Sequence, residues 1–398
     1  MPVTFNGMWG ELDGVGRDPT TGGYRRFAWT STDAELREWF AAQAARRGLD
    51  LTIDRCGNQW AWWGDPDAQP GVVTGSHLDS VPDGGAFDGP LGVVSAFAAL
   101  DALRDKGFLP ARPLGVVNFA DEEGARFGIA CAGSRLLTGA LPAQRALALR
   151  DADGVTLAEA LTAAGLPTGI GPDPETLGRV GAFVELHVEQ GRGLGELDAP
   201  VAVASAIWPH GRFRADLPGE ANHAGTTRLG DRRDPTLEYA RLVLAARGSA
   251  ERHGVVATCG KVLVRPNGVN AIPSHVTAWV DARGRHAGAV RAAVAELASR
   301  TADSGGSFAE ESWTEGTAFD EPLRKRLAAA LDDPPELDTG AGHDAGILAT
   351  HGIPAGMLFV RNPTGVSHSP AEFAERDDCL AGVDALTRAL ESLLAEPA

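Results

Sequence analysis

Histidines and carboxylates follow several apolar segments of this 398-residue chain. Segment 71–76 is followed by His77, with Asp88 eleven residues further on. The metal-compatible residues at such positions are His77, Asp79, Asp88, Glu122, Glu123, His187 and His368. Neutral imidazoles and carboxylates bind Zn²⁺, Mn²⁺, Co²⁺ or Ni²⁺ without choosing sharply among them. Three histidines and two carboxylates, with a spare carboxylate at two places, suit two ions that share a bridging carboxylate.

The elements that must position these groups have the pattern of an α/β domain. Apolar strands are predicted at 71–76, 114–120, 182–187 and 355–360, and an Ala- and Leu-rich helix at 91–103. Alternation of this kind favours a largely parallel sheet with helices on both faces. Ligands of open α/β sheets bind beyond the carboxyl ends of the strands, which is where the candidate groups stand.

Each candidate also has an ordinary structural interpretation. A single histidine at a strand end is more often a satisfied polar residue than a ligand. Adjacent Glu122 and Glu123 could form a solvated turn, and Asp88 near glycines could serve a turn. Convergence at one end of one sheet is what favours a metal site.

The middle of the chain has a different pattern. Half-exposed strands are predicted from the alternation of apolar and polar residues, and two helices are predicted between them. The predicted strands span 211–217, 260–264 and 276–281, and the predicted helices 234–248 and 287–300. This indicates an α+β module inserted into the larger domain. We expect residues 1–207 and 321–398 to form the larger domain and 208–320 the insertion.

The composition limits the classes of partner. The formal net charge is -17 and the sequence pI is about 5.0, which disfavours nucleic acid or an anionic membrane as a partner. Four scattered cysteines without a CxxC pair, no apolar leader and no run long enough to cross a membrane predict a soluble cytoplasmic protein.

Six phrases of the sequence, taken in order, resemble the M20 metallopeptidase family. Within it they resemble the branch of N-carbamoyl-L-amino acid and allantoate amidohydrolases. The phrases are GSHLDSVPDGGAFDG, ADEEGARFG, ELHVEQG, GEANHAGTT, PNGVNAIP and GVSHSPAE. The resemblance runs from about Trp9 to the last helix.

The resemblance implies a role for each matching position. The implied metal ligands are His77, Asp88, Glu123, His187 and His368, with Asp88 as the bridge between two divalent ions per subunit. Asp79 would orient His77, and Glu122 would be the general base. The implied substrate-binding residues are Gln190, His223, Asn270 and Arg283, of which His223 would also stabilise the developing oxyanion.

The resemblance further implies a catalytic domain with an inserted lid and dimerisation domain. In such a homodimer, His223, Asn270 and Arg283 of the lid can serve the partner's active site. Two features depart from the branch. Arg228 stands where proline is frequent, and residues 60–63 form an unusual Trp-rich segment. Either departure could alter substrate preference.

The expected activity is hydrolysis of the carbamoyl C–N bond of a small ureido acid that carries a carboxylate. An N-carbamoyl-L-amino acid is the leading substrate, allantoate the nearest alternative and 3-ureidopropionate the third. A different class, an inactive binding homologue, would have no need of the base Glu122. Retention of Glu122 with all five ligands therefore favours an enzyme.

Overall fold

The computed structural model describes residues 4–396 and divides the chain into two compact units. Unit 1 consists of Met1–Ser205 and Ala318–Ala398, and unit 2 of Ala206–Thr317. The inserted unit therefore begins at 206 rather than at 208, and ends at 317 rather than at 320.

The strands and helices are numbered in chain order. The strands are β1 (Asp50–Ile53), β2 (Gln59–Trp63), β3 (Gly71–His77), β4 (Leu114–Phe119), β5 (Val180–Val188), β6 (Val201–Ile207), β7 (His210–Pro218), β8 (Asn222–His223), β9 (Val256–Arg265), β10 (Ala271–Ile272), β11 (His275–Arg283), β12 (Ser307–Thr314), β13 (Thr317–Ala318), β14 (Glu336–Thr339) and β15 (Ala355–Val360). The helices are α1 (Phe5–Leu12), α2 (Ser31–Arg46), α3 (Pro90–Asp105), α4 (Ala132–Thr138), α5 (Ala143–Leu147), α6 (Leu157–Ala163), α7 (Pro174–Gly178), α8 (Gly193–Leu197), α9 (Pro235–His253), α10 (Ala287–Asp303), α11 (Glu321–Ala330), α12 (Asp344–Thr350) and α13 (Arg376–Leu394).

The large sheet has a parallel centre and antiparallel edges. Strands β4, β3, β5 and β15 lie side by side and run parallel, whereas β2 and β6 pair antiparallel on either side of them. These four central strands are the ones that the sequence predicts, and the mostly parallel α/β fold class is confirmed. All residues of β3, β4 and β15 are buried, because helices such as α3 and α13 pack on the sheet.

The Trp-rich segment belongs to the core. Trp60 and Trp62 of β2 are buried, with stacked rings whose centroids are 6.3 Å apart. The Trp60 indole N–H donates a hydrogen bond to Asp54 over 3.0 Å. These contacts place the two rings in the core beside the large sheet, and an effect of the Trp-rich segment on substrate preference stays a prediction.

Unit 2 is an antiparallel sheet in the order β12-β7-β11-β9, covered by α9 and α10. Its core is made by alternate residues of β7 and β11, such as Phe213 and Val280, which pack against Leu242 of α9 and Val290 of α10. The sequence prediction missed β12, because this edge strand is mostly exposed and carries polar residues.

Within residues 4–396, each helix is too short or too polar to cross a membrane.

Candidate metal centre

The carboxyl ends of the parallel strands bring the candidate ligands together. His77 is the last residue of β3, and His187 lies one residue before the end of β5. Glu123 lies in the turn that follows β4, and His368 in the loop that follows β15. Asp88 lies just before α3, whose first residue is Pro90. Because these strands are parallel neighbours, their ends meet at one edge of the sheet.

One group of ligand atoms surrounds the first oxygen of Asp88. The Nε2 of His187 lies 3.1 Å from Asp88 Oδ1, and the Nε2 of His77 lies 3.6 Å from the same atom. The three side chains are buried, and their ligand atoms all lie within 4.8 Å of one another. This spacing suits a single cation bound by two imidazoles and a carboxylate.

A second group surrounds the other oxygen of Asp88. The Nε2 of His368 lies 3.4 Å from Asp88 Oδ2 and 3.6 Å from Glu123 Oε2. Asp88, Glu123 and His368 also meet the 4.8 Å spacing. Asp88 therefore offers one oxygen to each group, as a bridging carboxylate does.

Hydrogen bonding fixes the ring orientation of the two buried histidines. His77 Nδ1 lies 3.1 Å from the carbonyl oxygen of Asp79, and His187 Nδ1 lies 2.9 Å from that of Val188. A carbonyl oxygen only accepts, so each Nδ1 carries the proton in the neutral ring, and each Nε2 presents its lone pair. Both Nε2 atoms are buried and have no hydrogen-bond partner.

These lone pairs face the lone pairs of the Asp88 carboxylate. Glu123 Oε1 is likewise buried and has no hydrogen-bond partner. Unpartnered buried acceptors that converge on a carboxylate are costly unless a cation lies among them. The residues present therefore fit a divalent metal ion, with backbone carbonyls orienting the imidazoles.

The carboxylates of the cluster have strongly perturbed acidities. Burial raises the pKa of Glu122 well above its usual value, and raises that of Glu123 to about 7 with the help of the nearby Asp88 charge. Perturbed acidities in such a cluster are typical of functional sites.

Asp79 holds the segment that carries Glu122 and Glu123. Its two carboxylate oxygens accept hydrogen bonds from the backbone N–H groups of Glu122 and Glu123, over 3.1 and 3.0 Å respectively. Its Oδ1 is 3.4 Å from His77 Nδ1, further than its own carbonyl oxygen at 3.1 Å. Asp79 therefore contacts His77 mainly through its backbone, and its carboxylate positions the two glutamates.

Glu122 itself lies beside the first group. Its Oε2 is 3.7 Å from His77 Nε2, and its Oε1 accepts a hydrogen bond from the Cys131 thiol over 3.3 Å. Gln190 also lies at the centre, where its amide N–H donates to Asp88 Oδ2 over 2.8 Å. The Gln190 carbonyl oxygen is buried and has no hydrogen-bond partner. It is thus able to accept from a bound amide.

The other predicted substrate-binding residues belong to unit 2. His223 is exposed on β8, which pairs with β10 next to the exposed Asn270. Arg283 ends β11, and its guanidinium contacts both carboxylate oxygens of Asp281, at 2.5 and 2.9 Å. The Arg283 guanidinium, which the sequence predicts to bind a substrate carboxylate, is therefore hydrogen-bonded to Asp281. Arg228 is exposed in the same unit, and nothing in the structure explains its departure from proline.

Three buried residues near the centre were not identified from the sequence. The His343 ring lies 4.5 Å from that of His187, and burial holds its pKa well below the usual value. Glu185 accepts hydrogen bonds from Ser76 and from the backbone of Ala345, so both of its oxygens are satisfied. The third is Glu372, which lies inside the phrase GVSHSPAE. For His343, the His-Asp pair after a Gly-rich stretch was the available signal.

Comparison with known proteins identifies the family of this chain. Residues 73–392 match the Peptidase family M20/M25/M40. An N-carbamoyl-L-amino acid amidohydrolase of Geobacillus stearothermophilus is 37% identical over 396 residues, which covers 94% of each chain. An allantoate amidohydrolase of Escherichia coli is 33% identical over 401 residues, covering 96% of this chain and 95% of that protein.

A solved structure has the same fold. It is an amidase of the hydantoinase/carbamoylase family from Burkholderia vietnamiensis, with a TM-score of 0.89 and 31% identity. The similarity covers 100% of this chain and 99% of that one. With the family match over most of its length and these relatives above 30% identity, this chain belongs to peptidase family M20/M25/M40, in the branch of the N-carbamoyl-L-amino acid and allantoate amidohydrolases.

Proposed function

We propose that this protein hydrolyses the carbamoyl C–N bond of an N-carbamoyl-L-amino acid, releasing the L-amino acid, carbon dioxide and ammonia. The proposal rests on the two ligand groups that share Asp88, and on Glu122, whose Oε2 lies 3.7 Å from His77 Nε2. An amidohydrolase of this substrate class is 37% identical to the chain. We further propose that unit 1 is the catalytic domain and unit 2 the lid and dimerisation domain.

The proposed cofactors are two divalent ions per subunit, drawn from Mn²⁺, Zn²⁺, Co²⁺ and Ni²⁺. His77, His187 and Asp88 would hold one ion, and Asp88, Glu123 and His368 the other. Such ions supply Lewis acidity toward a carbonyl oxygen and lower the pKa of water. This matters for a ureido group, because both nitrogens donate electrons into its carbonyl and make it a poor electrophile.

Glu122 is the proposed proton carrier. Its carboxylate accepts the proton of the attacking water and then passes that proton to the leaving nitrogen. The hydrogen bond from Cys131 engages Oε1, so that Oε2 is the oxygen directed at the ligand groups. An acid whose pKa is raised by burial is suited to both halves of this task.

The substrate would be recognised by the four residues that the family resemblance implies. The unpartnered Gln190 carbonyl oxygen would accept from the ureido amide. His223 would stabilise the charge that develops on the ureido oxygen, and Arg283 with Asn270 would bind the carboxylate. Since Asp281 engages the Arg283 fork, the substrate carboxylate would have to share that guanidinium or displace Asp281.

We also propose a homodimer formed through unit 2, in which these lid residues serve the partner's centre. Strand β9 lies at an edge of its sheet and exposes Val262 and Leu263. Helix α9, which packs beside it, exposes Leu237 and Leu244. An edge strand with exposed apolar residues pairs readily with a second copy of itself.

A cytoplasmic location completes the proposal. The thiols of Cys56, Cys131, Cys259 and Cys379 are all free. Free and largely buried thiols are typical of a reducing compartment.

Allantoate is the second candidate substrate. The 33% identity to an allantoate amidohydrolase favours it, and the same centre would serve the same chemistry. 3-Ureidopropionate is a third ureido acid of suitable size. An inactive binding homologue is disfavoured, because Glu122 lies beside the ligand groups, where only a reaction requires it.

The test is a reconstitution assay. The protein is stripped with chelator and restored separately with Mn²⁺, Zn²⁺, Co²⁺ or Ni²⁺. Ammonia release is then measured from several N-carbamoyl-L-amino acids, allantoate, 3-ureidopropionate and a dipeptide. We expect metal-dependent release from an N-carbamoyl-L-amino acid and none from the dipeptide. Faster ammonia release from allantoate would make allantoate the substrate instead. If no ureido acid released ammonia with any of the metals, the proposal would be refuted.

A further inference from the structure

Glu372 is a buried carboxylate that joins two loops of the metal centre. Its Oε1 accepts hydrogen bonds from the backbone N–H groups of Phe87 and Asp88, both over 2.9 Å. Its Oε2 accepts a hydrogen bond from the Ser367 hydroxyl over 3.1 Å. The first contact fixes the loop that carries Asp88, and the second fixes the loop that carries His368.

The two loops are far apart in the sequence, and packing around Glu372 restricts their movement relative to each other. A side-chain carbon at Gly85 would lie 2.4 Å from the Glu372 side chain, so the glycine permits close approach of the first loop. The rings of Phe87 and Phe373 meet edge to face, with centroids 6.1 Å apart. Glu372 itself is only 5% exposed.

The hydrogen bonds of Glu372 continue to the Asp88 carboxylate. Ser367 Oγ lies 3.4 Å from Asp88 Oδ2, and Gln190 Nε2 donates to the same carboxylate oxygen and lies 3.3 Å from Ser367 Oγ. His368 directly follows Ser367. Displacement of the Glu372 carboxylate would therefore move the shared ligand and one terminal ligand relative to each other.

We propose that Glu372 is a positioning residue of the metal centre, which sets the distance between Asp88 and His368 and thereby the affinity for divalent ions. This inference rests on the proposed function, because it assumes that Asp88 and His368 bind metal. Groups that orient metal ligands by hydrogen bonding typically change metal affinity 10- to 100-fold when they are removed.

The test compares Glu372→Ala and Glu372→Gln with a matched control, Glu375→Ala. Glu375 is exposed three residues further on, and its side chain does not cap α13. The control therefore removes the same charge at the end of the His368 loop, without removing a hydrogen bond to the loop that carries Asp88. Glutamine keeps an oxygen for the two backbone N–H groups but loses the charge, so this variant retains the fold if alanine does not.

Two measurements are made on each full-length variant. Titration of the metal-free protein with Mn²⁺ gives the affinity, and amide hydrogen exchange of the segment around Phe87 and Asp88 gives the order of the loop. For Glu372→Ala we expect affinity about 10- to 100-fold weaker, and exchange at these two amides about tenfold faster or more. For Glu372→Gln we expect a smaller change in both, and for Glu375→Ala none.

The outcomes separate this inference from the proposed function. Wild-type affinity in Glu372→Ala would overturn the positioning role, even if exchange were faster. The loss of order in the loop would then have no effect on metal binding. A wild-type protein that bound no divalent ion would overturn both. Weakened affinity in a protein that hydrolysed no ureido acid would support Glu372 and refute only the proposed substrate.

Discussion

At the scale of single residues, the centre depends on which atom of each side chain is already engaged. The Nδ1 atoms of His77 and His187 are held by backbone carbonyls, and this leaves Nε2 as the only nitrogen able to bind an ion. His368 has a φ of 53°, a left-handed conformation that costs about 1–2 kcal/mol for a residue with a side chain. Such strain persists where the surrounding contacts fix the residue, as they do at many functional sites.

Glu122→Gln separates proton transfer from metal binding. The glutamine has nearly the same shape but cannot accept the proton, so kcat should fall about 10²- to 10⁴-fold. Folding and Mn²⁺ affinity should stay near those of the wild type, since Glu122 is not among the proposed ligands. Glu123→Gln is the matched comparison, and it should weaken metal binding directly. A near-normal kcat in Glu122→Gln would remove Glu122 from the base role.

At the scale of elements, the start of α3 packs against His77, a proposed ligand. Gly89 has a φ of +86°, and a side-chain carbon there would lie 2.4 Å from the His77 ring. Because the glycine permits this contact, the helix that follows Asp88 can begin directly beside the end of β3. Strand and helix together therefore bring Asp88 and His77 into the first ligand group.

Gly89→Ala tests this contact against a matched glycine. The alanine should displace the His77 ring and weaken Mn²⁺ affinity by more than tenfold, measured by titration calorimetry. Gly107, after the end of α3, has a φ of +69°, but a side-chain carbon there would meet no atom within 4 Å. Gly107→Ala should cost about 1–2 kcal/mol of unfolding free energy and leave affinity unchanged. Equal affinities in the two variants would contradict the proposed contact.

At the scale of the whole molecule, the proposed ligands link distant parts of unit 1: they lie in β3 and β5, just before α3, and in the segments that follow β4 and β15. An ion bound among them stabilises the folded chain, because the unfolded chain does not assemble the site. Binding at a free concentration one hundred times the Kd adds about 2.7 kcal/mol.

Chelation should therefore lower the melting temperature. We expect a decrease of several degrees when the ions are removed, and recovery when Mn²⁺ is restored, measured by scanning calorimetry. Glu122→Gln should show the same decrease, since it keeps the proposed ligands, whereas Asp88→Asn should show little. If chelation left the wild-type melting temperature unchanged, the ions would not bind the folded chain appreciably.

Assembly is the second whole-molecule property. Leu244 of α9 and Leu263 of β9 are 74% and 48% exposed. Leu244→Asp with Leu263→Asp should convert the proposed dimer into a monomer, since burying two charges in an apolar interface is unfavourable. Light scattering after gel filtration measures the mass. Leu109→Asp, at an 87% exposed position of unit 1, is the control and should leave the mass unchanged.

The sequence by itself determined the central sheet and the family, and it predicted the inserted unit and the residues that could bind metal. The strands around 71–76 and 355–360 could be recognised because buried parallel strands are continuous apolar runs. The ligands could be recognised because their chemistry is carried by residue type and their order is retained in phrases such as GSHLDSVPDGGAFDG. Both signals are local, so they can be recognised from the sequence alone.

Tertiary structure alone decided which atoms meet. The sequence did not indicate that Glu372 binds the backbone beside Asp88, that His343 lies against His187, or that Asp281 engages the Arg283 fork. The edge strand β12 was missed because its exposed polar residues lack a buried face. Contacts between segments far apart along the chain depend on packing, and hydrogen-bond partners depend on atomic position, and neither is determined by residue spacing.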